Sequence, residues 1–458
     1  MVYFEKDSNF YKKLIKIALP VAMQSVITVG VNLIDTIMLG ALGETALSAS
    51  SLANQFIVLF MFMCMGISMG SSVLTGRFWG AQDMVSLKKV VTIAYRISLG
   101  IALFFTVVNF TMAETIMAFY SDEQPVIEAG ASYLRWSTAT FLLMALSTVS
   151  TNVIRSVGVN HISFIGALSS FGVNIGANYV LIFGKFGFPE MGIAGAALGT
   201  VIARVVEAAI ICIYVFVTDK RISFRVLDLF CRCQDMVQEF LRISIPVMLS
   251  DSLLGIGESA LAVIMGHIGS QFVAANAITG VVQRLSTIFI SGIAHAGCII
   301  TSQTLGEQKV EEARKQGDTF LILGVAIGLT AAGVITLLKE PVINSYNITE
   351  DTKVIARQLM NAISCIVVFR SANTILTKGV LRGGGDTKFL VAADTSMMWF
   401  VAIPLGAAAG LWLNISPFWI YICLYSDQVF KAIWCWFRLR SGKWIKKIQG
   451  VYDALDKS

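Results

Sequence analysis

Twelve apolar segments recur along the chain, separated by short polar connections. They fall at about 14–41, 52–75, 91–113, 134–154, 163–184, 193–217, 243–266, 277–303, 317–338, 355–378, 389–413 and 416–437. A membrane span takes about 20 apolar residues. Hydrocarbon offers the backbone no hydrogen-bond partner, so apolar spans of this length fold as helices. The expected fold is therefore all-α, a polytopic membrane protein of twelve transmembrane helices. With 56% hydrophobic and 14% charged residues, and a mean hydropathy of +0.73, a soluble globular domain is excluded.

The second constraint is an internal repeat. Shifted by 226 residues, Ile17-Ala18-Leu19-Pro20 meets Ile243-Ser244-Ile245-Pro246, and Gly40-Ala41-Leu42-Gly43 meets Gly266-His267-Ile268-Gly269. Thr75, Gly80 and Gln82 meet Thr301, Gly306 and Gln308; at a shift of 227, Arg155 and Gly158 meet Arg382 and Gly385. Two six-span lobes are expected, at residues 1–217 and 243–437, joined by a linker at 218–242 and followed by a basic tail at 438–458. An even number of spans per repeat gives both lobes the same topology, related by a pseudo-twofold axis along the membrane normal.

Orientation follows from the basic residues. Lys12, Lys13, Lys16, Arg77, Lys88, Lys89, Lys220, Arg221, Arg225 and Arg232 lie on one side, and only Lys185, Lys339 and Lys353 on the other. Both termini are expected in the cytoplasm, with the protein in the plasma (inner) membrane. Residues 1–16 lack a cleavable signal pattern, so the first span serves as an uncleaved insertion signal. In the tail, Trp444, Ile445 and Ile448 alternate with Lys443, Lys446 and Lys447, a pattern that suits the inner leaflet.

The first span carries the chemistry. Gln24, Thr28, Asn32 and Asp35 are spaced 4, 4 and 3 apart and share one helix face. A carboxylate at membrane depth costs about 2.5–3.5 kcal/mol on insertion scales. The stripe should therefore face protein or a wet cavity, and four aligned polar residues exceed what one structural ion pair needs. The repeat partner, span 7, holds Asp251 and Glu258, seven apart on one face. Glu258 aligns with Asn32, a turn from the equivalent of Asp35. Asp251 reads as a residue near the helix start.

Pro20 and Pro246 sit at the beginnings of these spans, and Pro404 lies mid-span in segment 11, where proline bends a helix. Asn174 and Asn178 are one turn apart in span 5, and Thr200 follows the small-residue run that opens span 6. These could complete a polar chamber with Asp35, or serve as interhelical hydrogen bonds. Arg204 with Glu207, and Asp427 with Lys431, have spacings for pairing within a helix. Arg284 and Asp394 need partners from elsewhere, and His295 reads as a core histidine.

Other functions lack the residues. Three histidines are too few for a histidine-rich centre, and Cys231 with Cys233 makes a poor metal site. The loop GVLRGGGDTKF at 379–389 is glycine-rich, but its spacing is not that of a P-loop. Nothing else in the sequence is suited to hydrolyse nucleotide, so energy is expected to come from an ion gradient and no cofactor is expected. A lipid-linked precursor flippase would need more unpaired Arg and Lys than Arg284 and Arg370. A membrane-embedded enzyme would need a catalytic cluster that is missing from the sequence.

The ordered motifs resemble the multidrug and toxic compound extrusion (MATE) family over nearly the whole chain. They are Pro20 with Asp35, LGALGETALSA, SVLTGRFWGAQ and its repeat IITSQTLGEQ, NYVLIFGKFGFPEMGIAGAALGTVIA, and VLRGGGDTKF. The resemblance implies a cation-coupled antiporter that exports amphipathic, often cationic, organic compounds. It implies cation coupling at Asp35, with Na⁺ or H⁺ as the ion and Asp35 as the candidate Na⁺ ligand. Asn174, Asn178 and Thr200 match the family's polar cluster, with Asn178 where other members carry an aspartate. Asp386 matches a family aspartate that matters for cation binding, and Glu258 lies about a turn from a family glutamate. A monomer is expected, with small-molecule and lipid partners and no nucleic acid. Asp35 would take the cation from outside and expel substrate as span 1 bends or repacks.

Overall fold

The computed structural model describes residues 4–346, 348–413 and 415–447. Three long helices open the chain: α1 (Ser8–Gly40), α2 (Glu44–Gly80) and α3 (Met84–Tyr120). Then come α4 (Gln124–Trp136), α5 (Thr140–Ser156), α6 (His161–Phe183) and α7 (Gly192–Ile213), which runs into a π turn at Tyr214–Thr218. A 3₁₀ turn at Val226–Phe230 leads to α8 (Gln234–Ile268), α9 (Ser270–Gly306) and α10 (Val310–Ser345). α11 (Glu350–Thr374) passes through a π turn, Ile375–Val380, into the last turn, α12 (Leu381–Gly383). α13 (Thr387–Met397), α14 (Ile403–Ala407), α15 (Pro417–Leu424) and α16 (Asp427–Arg440) complete the set. Among the described residues there is no β-strand.

Among the described residues, ten helical runs are long and apolar enough to cross a membrane, or eleven when the pair α4–α5, bent by 53°, is counted as one span. The twelfth apolar segment is split into α15 and α16. α15 has only 8 residues, and α16 carries Asp427 and Lys431 in its opening turns.

The repeat is written in the backbone. α1 and α8 begin 226 residues apart, as do α2 and α9, and α3 and α10. Gln82 and Gln308 both adopt a left-handed conformation, at φ 60° and 61°, although neither is glycine. Gly158 and Gly385 share φ 83°. Two sequences that impose the same strained turn at the same offset are repeats of one structure.

The chain divides into two compact units. One holds Met23–Thr75 and Asp83–Met248; the other holds the residues up to Ala22, Gly76–Gln82, and the chain from Leu249 onward. The sequence reading cut the chain once, between spans 6 and 7. The units differ because each opening helix changes membership partway: α1 after Ala22 and α8 after Met248. The core of the first unit gathers around Phe60, Phe105 and Phe141, whose rings lie 5.1–5.9 Å apart, and around Leu39, Met117 and Tyr133. The core of the second takes in Phe10, Leu14 and Ile17 of α1 with Phe320, Ile363 and Tyr421.

Several local expectations are corrected. α1 and α8 start well before Pro20 and Pro246, so both prolines lie inside helices. Asp251 is likewise mid-helix, not at a helix start. Pro404 sits in α14 between π turns at Met398–Ala402 and Ala408–Trp412, where wide turns absorb the missing N–H. The linker shortens to residues 219–233 because α8 begins at Gln234. In the tail, Trp444 is fully buried rather than laid on a surface. Its Nε1 donates to Leu439 O at 3.1 Å, and its ring lies over Gly384, which has no Cβ to obstruct it. Ile448 and the rest of the tail fall outside the described residues.

Candidate functional site

In the first unit, Asp35 of α1 accepts a hydrogen bond from Asn178 Nδ2 of α6 at 2.7 Å. The same amide group lies 3.4 Å from Asn174 Oδ1, one turn back. Both asparagines are buried; Asp35 is half-buried. Glycines on α7 let α6 come this close. A Cβ on Gly199 would collide with Asn178 Oδ1, and one on Gly195 would lie 2.5 Å from Leu181 O. The small-residue run therefore places Asn178, not merely two helix backbones. Thr200, next to Gly199, returns its hydroxyl to Ala196 O at 3.0 Å.

Groups of α2, α4 and α7 stand around this pair, and α5 engages α1 eleven residues earlier, at Gln24. Tyr133 of α4 reaches Asn54 of α2 and Thr200, and lies within the electrostatic range of Asp35 and Arg204. Arg204 lies within electrostatic range of Asp35 and pairs with Glu207 at 2.7 Å. Arg155 of α5 is buried, hydrogen-bonds Gln24 and faces Glu207. Thr28 and Asn32 of the stripe are exposed, with Thr28 Oγ1 bonded to Gln24 O at 3.0 Å. The stripe thus engages at its two ends, Gln24 and Asp35. Four formal charges alternate here: Asp35, Arg204, Glu207 and Arg155. Spacing alone showed the Arg204–Glu207 pair but not its place beside Asp35. The signal for Arg155 was its match to Arg382 in the repeat.

The second unit carries a longer ladder. Arg382 holds Asp251 through two bonds, at 3.1 and 3.3 Å. Lys431 bridges Asp394 at 3.0 Å and Asp427 at 3.5 Å, and Ser250 Oγ donates to Asp394 at 2.5 Å. Asp394, without a partner on its own helix, finds two on α16 and α8. His295 adds its field to Asp251. Glu258 is exposed on α8, within electrostatic range of Tyr425, whose ring packs on Tyr421. Asp386 is elsewhere, at the start of α13. Arg438 grips it at 2.6 and 3.2 Å and Lys446 at 3.3 Å, so two cations already match its charge.

Residues 219–233 connect the π turn that ends at Thr218 to α8 and belong to the first unit. Asp228 is partly buried, which pushes its carboxyl up. The Arg225 N–H and the Lys88 ammonium outweigh that and hold it below the usual carboxylate range. Burial and the neighbouring Cys231 push the Cys233 thiol up to about 11.

An all-α chain of repeated halves, with charged groups set into helices long enough to cross a membrane, is a polytopic membrane transporter. The MatE family model matches residues 20–180 and 233–408, most of the chain. The protein belongs to that family. A probable multidrug resistance protein NorM of Thermotoga maritima is 25% identical over 449 residues, covering 97% of this chain and 95% of its own. The uncharacterized transporter YisQ of Bacillus subtilis is 23% identical over 415 residues, 90% of each chain. A solved MATE structure in the bent conformation matches with a TM-score of 0.86 at 19% identity, over 95% of this chain and 97% of its own. One in the straight conformation gives 0.84 at 20% identity, over 94% and 96%. At such identity the solved structures speak for the fold. The protein is a transporter and not an enzyme.

Proposed function

We propose that this protein is a secondary antiporter of the plasma membrane, working as a monomer with both termini in the cytoplasm. It exports amphipathic, cationic organic compounds in exchange for H⁺ or Na⁺ by alternating access. The observation that carries the reading is Asp35 itself: a carboxylate in an apolar helix, hydrogen-bonded to Asn178 and placed beside Arg204. The relatives named for multidrug resistance support the choice of cargo.

Asn178 suits a site that changes charge. It donates to the ionised carboxylate; turned over, its amide oxygen accepts from the protonated acid. When Asp35 takes up a cation, the alternating row loses its terminal negative charge and Arg204 loses a partner. Repacking of α1 around Pro20, with Pro246 and Pro404 bending their own helices, then favours release of the cargo outward. A cationic cargo and the coupling ion compete for Asp35, and that competition makes the exchange obligatory. Moving one charge through 100 mV supplies about 2.3 kcal/mol. Glu258 is the second coupling residue and Asp386 the third, the latter through the ion pairs that set the start of α13. The pairing of Arg204, Arg382 and Lys431 with acids speaks against a flippase, whose cleft needs cations open to pyrophosphate.

The test is efflux of a cationic dye from proteoliposomes under Na⁺ and pH gradients imposed one at a time. Antiport requires that at least one gradient drive uphill dye movement and that an ionophore for that ion abolish it. Efflux indifferent to both gradients overturns the reading.

A further inference from the structure

Residues 219–233 read DKRISFRVLDLFCRC and join the two repeats. The segment contains two acids and four bases. Both acids have partners within the protein. Asp219 is buried and accepts from Ile222 N at 2.9 Å. Asp228 accepts from Arg225 N at 2.8 Å and from Lys88 Nζ at 3.1 Å. All four bases, Lys220, Arg221, Arg225 and Arg232, are exposed.

The backbone of the segment is fixed to α3. Lys88 Nζ donates to Ser223 O at 2.7 Å, and Thr92 Oγ1 to Asp228 O at 2.9 Å. Arg96 donates to Leu229 O at 2.6 and 2.8 Å and to Cys231 O at 2.8 Å. Phe224 and Ile222 fill the inner side. What remains outside is apolar as well as basic: Val226 is 56% exposed, Leu227 79% and Phe230 80%. A loop that buries one acid and pairs the other, shows its cations and holds large apolar side chains outward is not arranged for water alone. In the chain it joins two helices of membrane-spanning length, one ending at Thr218 and the next starting at Gln234, and a connection between two spans meets the headgroup region.

We propose that the 219–233 segment is a docking site for the headgroups of anionic phospholipids. Val226, Leu227 and Phe230 enter the boundary between headgroup and acyl chain, and Arg225 and Arg232 hold phosphate. Apolar contact supplies insertion, and the basic side chains supply headgroup preference. Arg225 holds Asp228 through its backbone N–H, while the ion pair of Asp228 is with Lys88, so phosphate and Asp228 engage different groups of Arg225. The interaction is independent of what the transporter carries.

The full-length protein in nanodiscs tests it. Hydrogen exchange of residues 219–233 is compared in phosphatidylcholine and in phosphatidylcholine mixed with phosphatidylglycerol, and native mass spectrometry counts retained lipids. The site predicts added protection with phosphatidylglycerol and preferential retention of that lipid. Arg225→Gln and Arg232→Gln each lower the preference about fivefold, the factor that one interfacial basic residue contributes. Leu227→Ser with Phe230→Ser lowers protection in both mixtures. Both residues are on the surface, so the fold survives, which an unchanged melting curve confirms. The same protection and the same lipid ratio in wild type and the arginine variants overturn the proposal. So does protection that arises only when an acidic protein is added.

Discussion

Arg382 grips Asp251 through two charge-assisted hydrogen bonds from a guanidinium that is 2% exposed. In the other repeat, 227 residues earlier, Arg155 grips Gln24. The two arginines hold points one residue apart in the repeat register of the opening helices, just past where each helix passes from one compact unit to the other. The grip on α8 is an ion pair; the grip on α1 is a guanidinium on a neutral amide. The helix bearing Asp35 is thus the more lightly held of the two.

That difference is measurable. Asp251→Ala strands a buried guanidinium and should cost about 3–5 kcal/mol. Gln24→Ala removes one hydrogen bond to a charged group, about 1.5–3 kcal/mol, and leaves Arg155 facing Glu207. Unfolding of both variants in detergent micelles gives the comparison. Equal losses would remove the asymmetry.

Gly199→Ala should act on Asp35 at a distance. The new methyl collides with Asn178 Oδ1, so α6 must shift and the Asn178–Asp35 bond lengthen. Overpacking of this kind costs about 1–3 kcal/mol. Dye efflux should fall with stability. Gly100→Ala, which meets nothing within 4 Å, should leave efflux unchanged. Equal efflux in both variants would mean that Asn178 does not matter to transport.

Acid should loosen the 219–233 segment from α3. The carboxyl of Asp228 sits below its usual range in the folded protein. A depressed carboxylate contributes stability above its unfolded pKa, about 3.9, which is lost as pH falls through the lower folded value. Protection of Leu229 and Cys231 amides should therefore drop below about pH 4. In Asp228→Asn the drop should vanish and protection be low throughout. A wild-type profile without that drop would show that Asp228 does not pin the segment.

Trp444→Ala should destabilise the second unit by about 3–5 kcal/mol, as for a buried core tryptophan. Lys446 N donates to Gly384 O, and Arg77 reaches both Gly384 O and Lys446 O, so the loop around Asp386 should loosen as well. Thermal unfolding of the variant in detergent micelles measures the loss. A variant as stable as wild type would return the tail to the membrane surface.

The spans and the repeat were legible because apolar length and a fixed offset survive in sequence without any partner. The Asn174–Asn178 pair and the Arg204–Glu207 pair were legible for a similar reason: each is a spacing on one helix, whereas of the Gln24–Asp35 stripe the middle members Thr28 and Asn32 are exposed. What the sequence hid were contacts between helices. Nothing in the spacing of Arg155 points to Gln24, and nothing near Lys431 points to Asp394 on another helix. Helix starts were also missed, at α1 and α8, because polar first turns carry no hydropathy signal. That error turned two internal prolines into helix openers. Trp444 misled for the opposite reason: a basic, amphipathic tail looks the same whether its tryptophan meets lipid or a cleft roofed by Gly384.

The central claim is that exchange runs through Asp35. The most direct measurement sets Asp35→Asn beside wild type in proteoliposomes, with dye efflux read under the gradient that drives wild type and dye binding read without a gradient. Asparagine keeps the shape and a hydrogen bond to Asn178 but cannot alternate between charged and neutral. The account predicts that gradient-driven efflux falls to the level of empty liposomes while the variant stays folded. Undiminished, gradient-driven efflux by Asp35→Asn would contradict it.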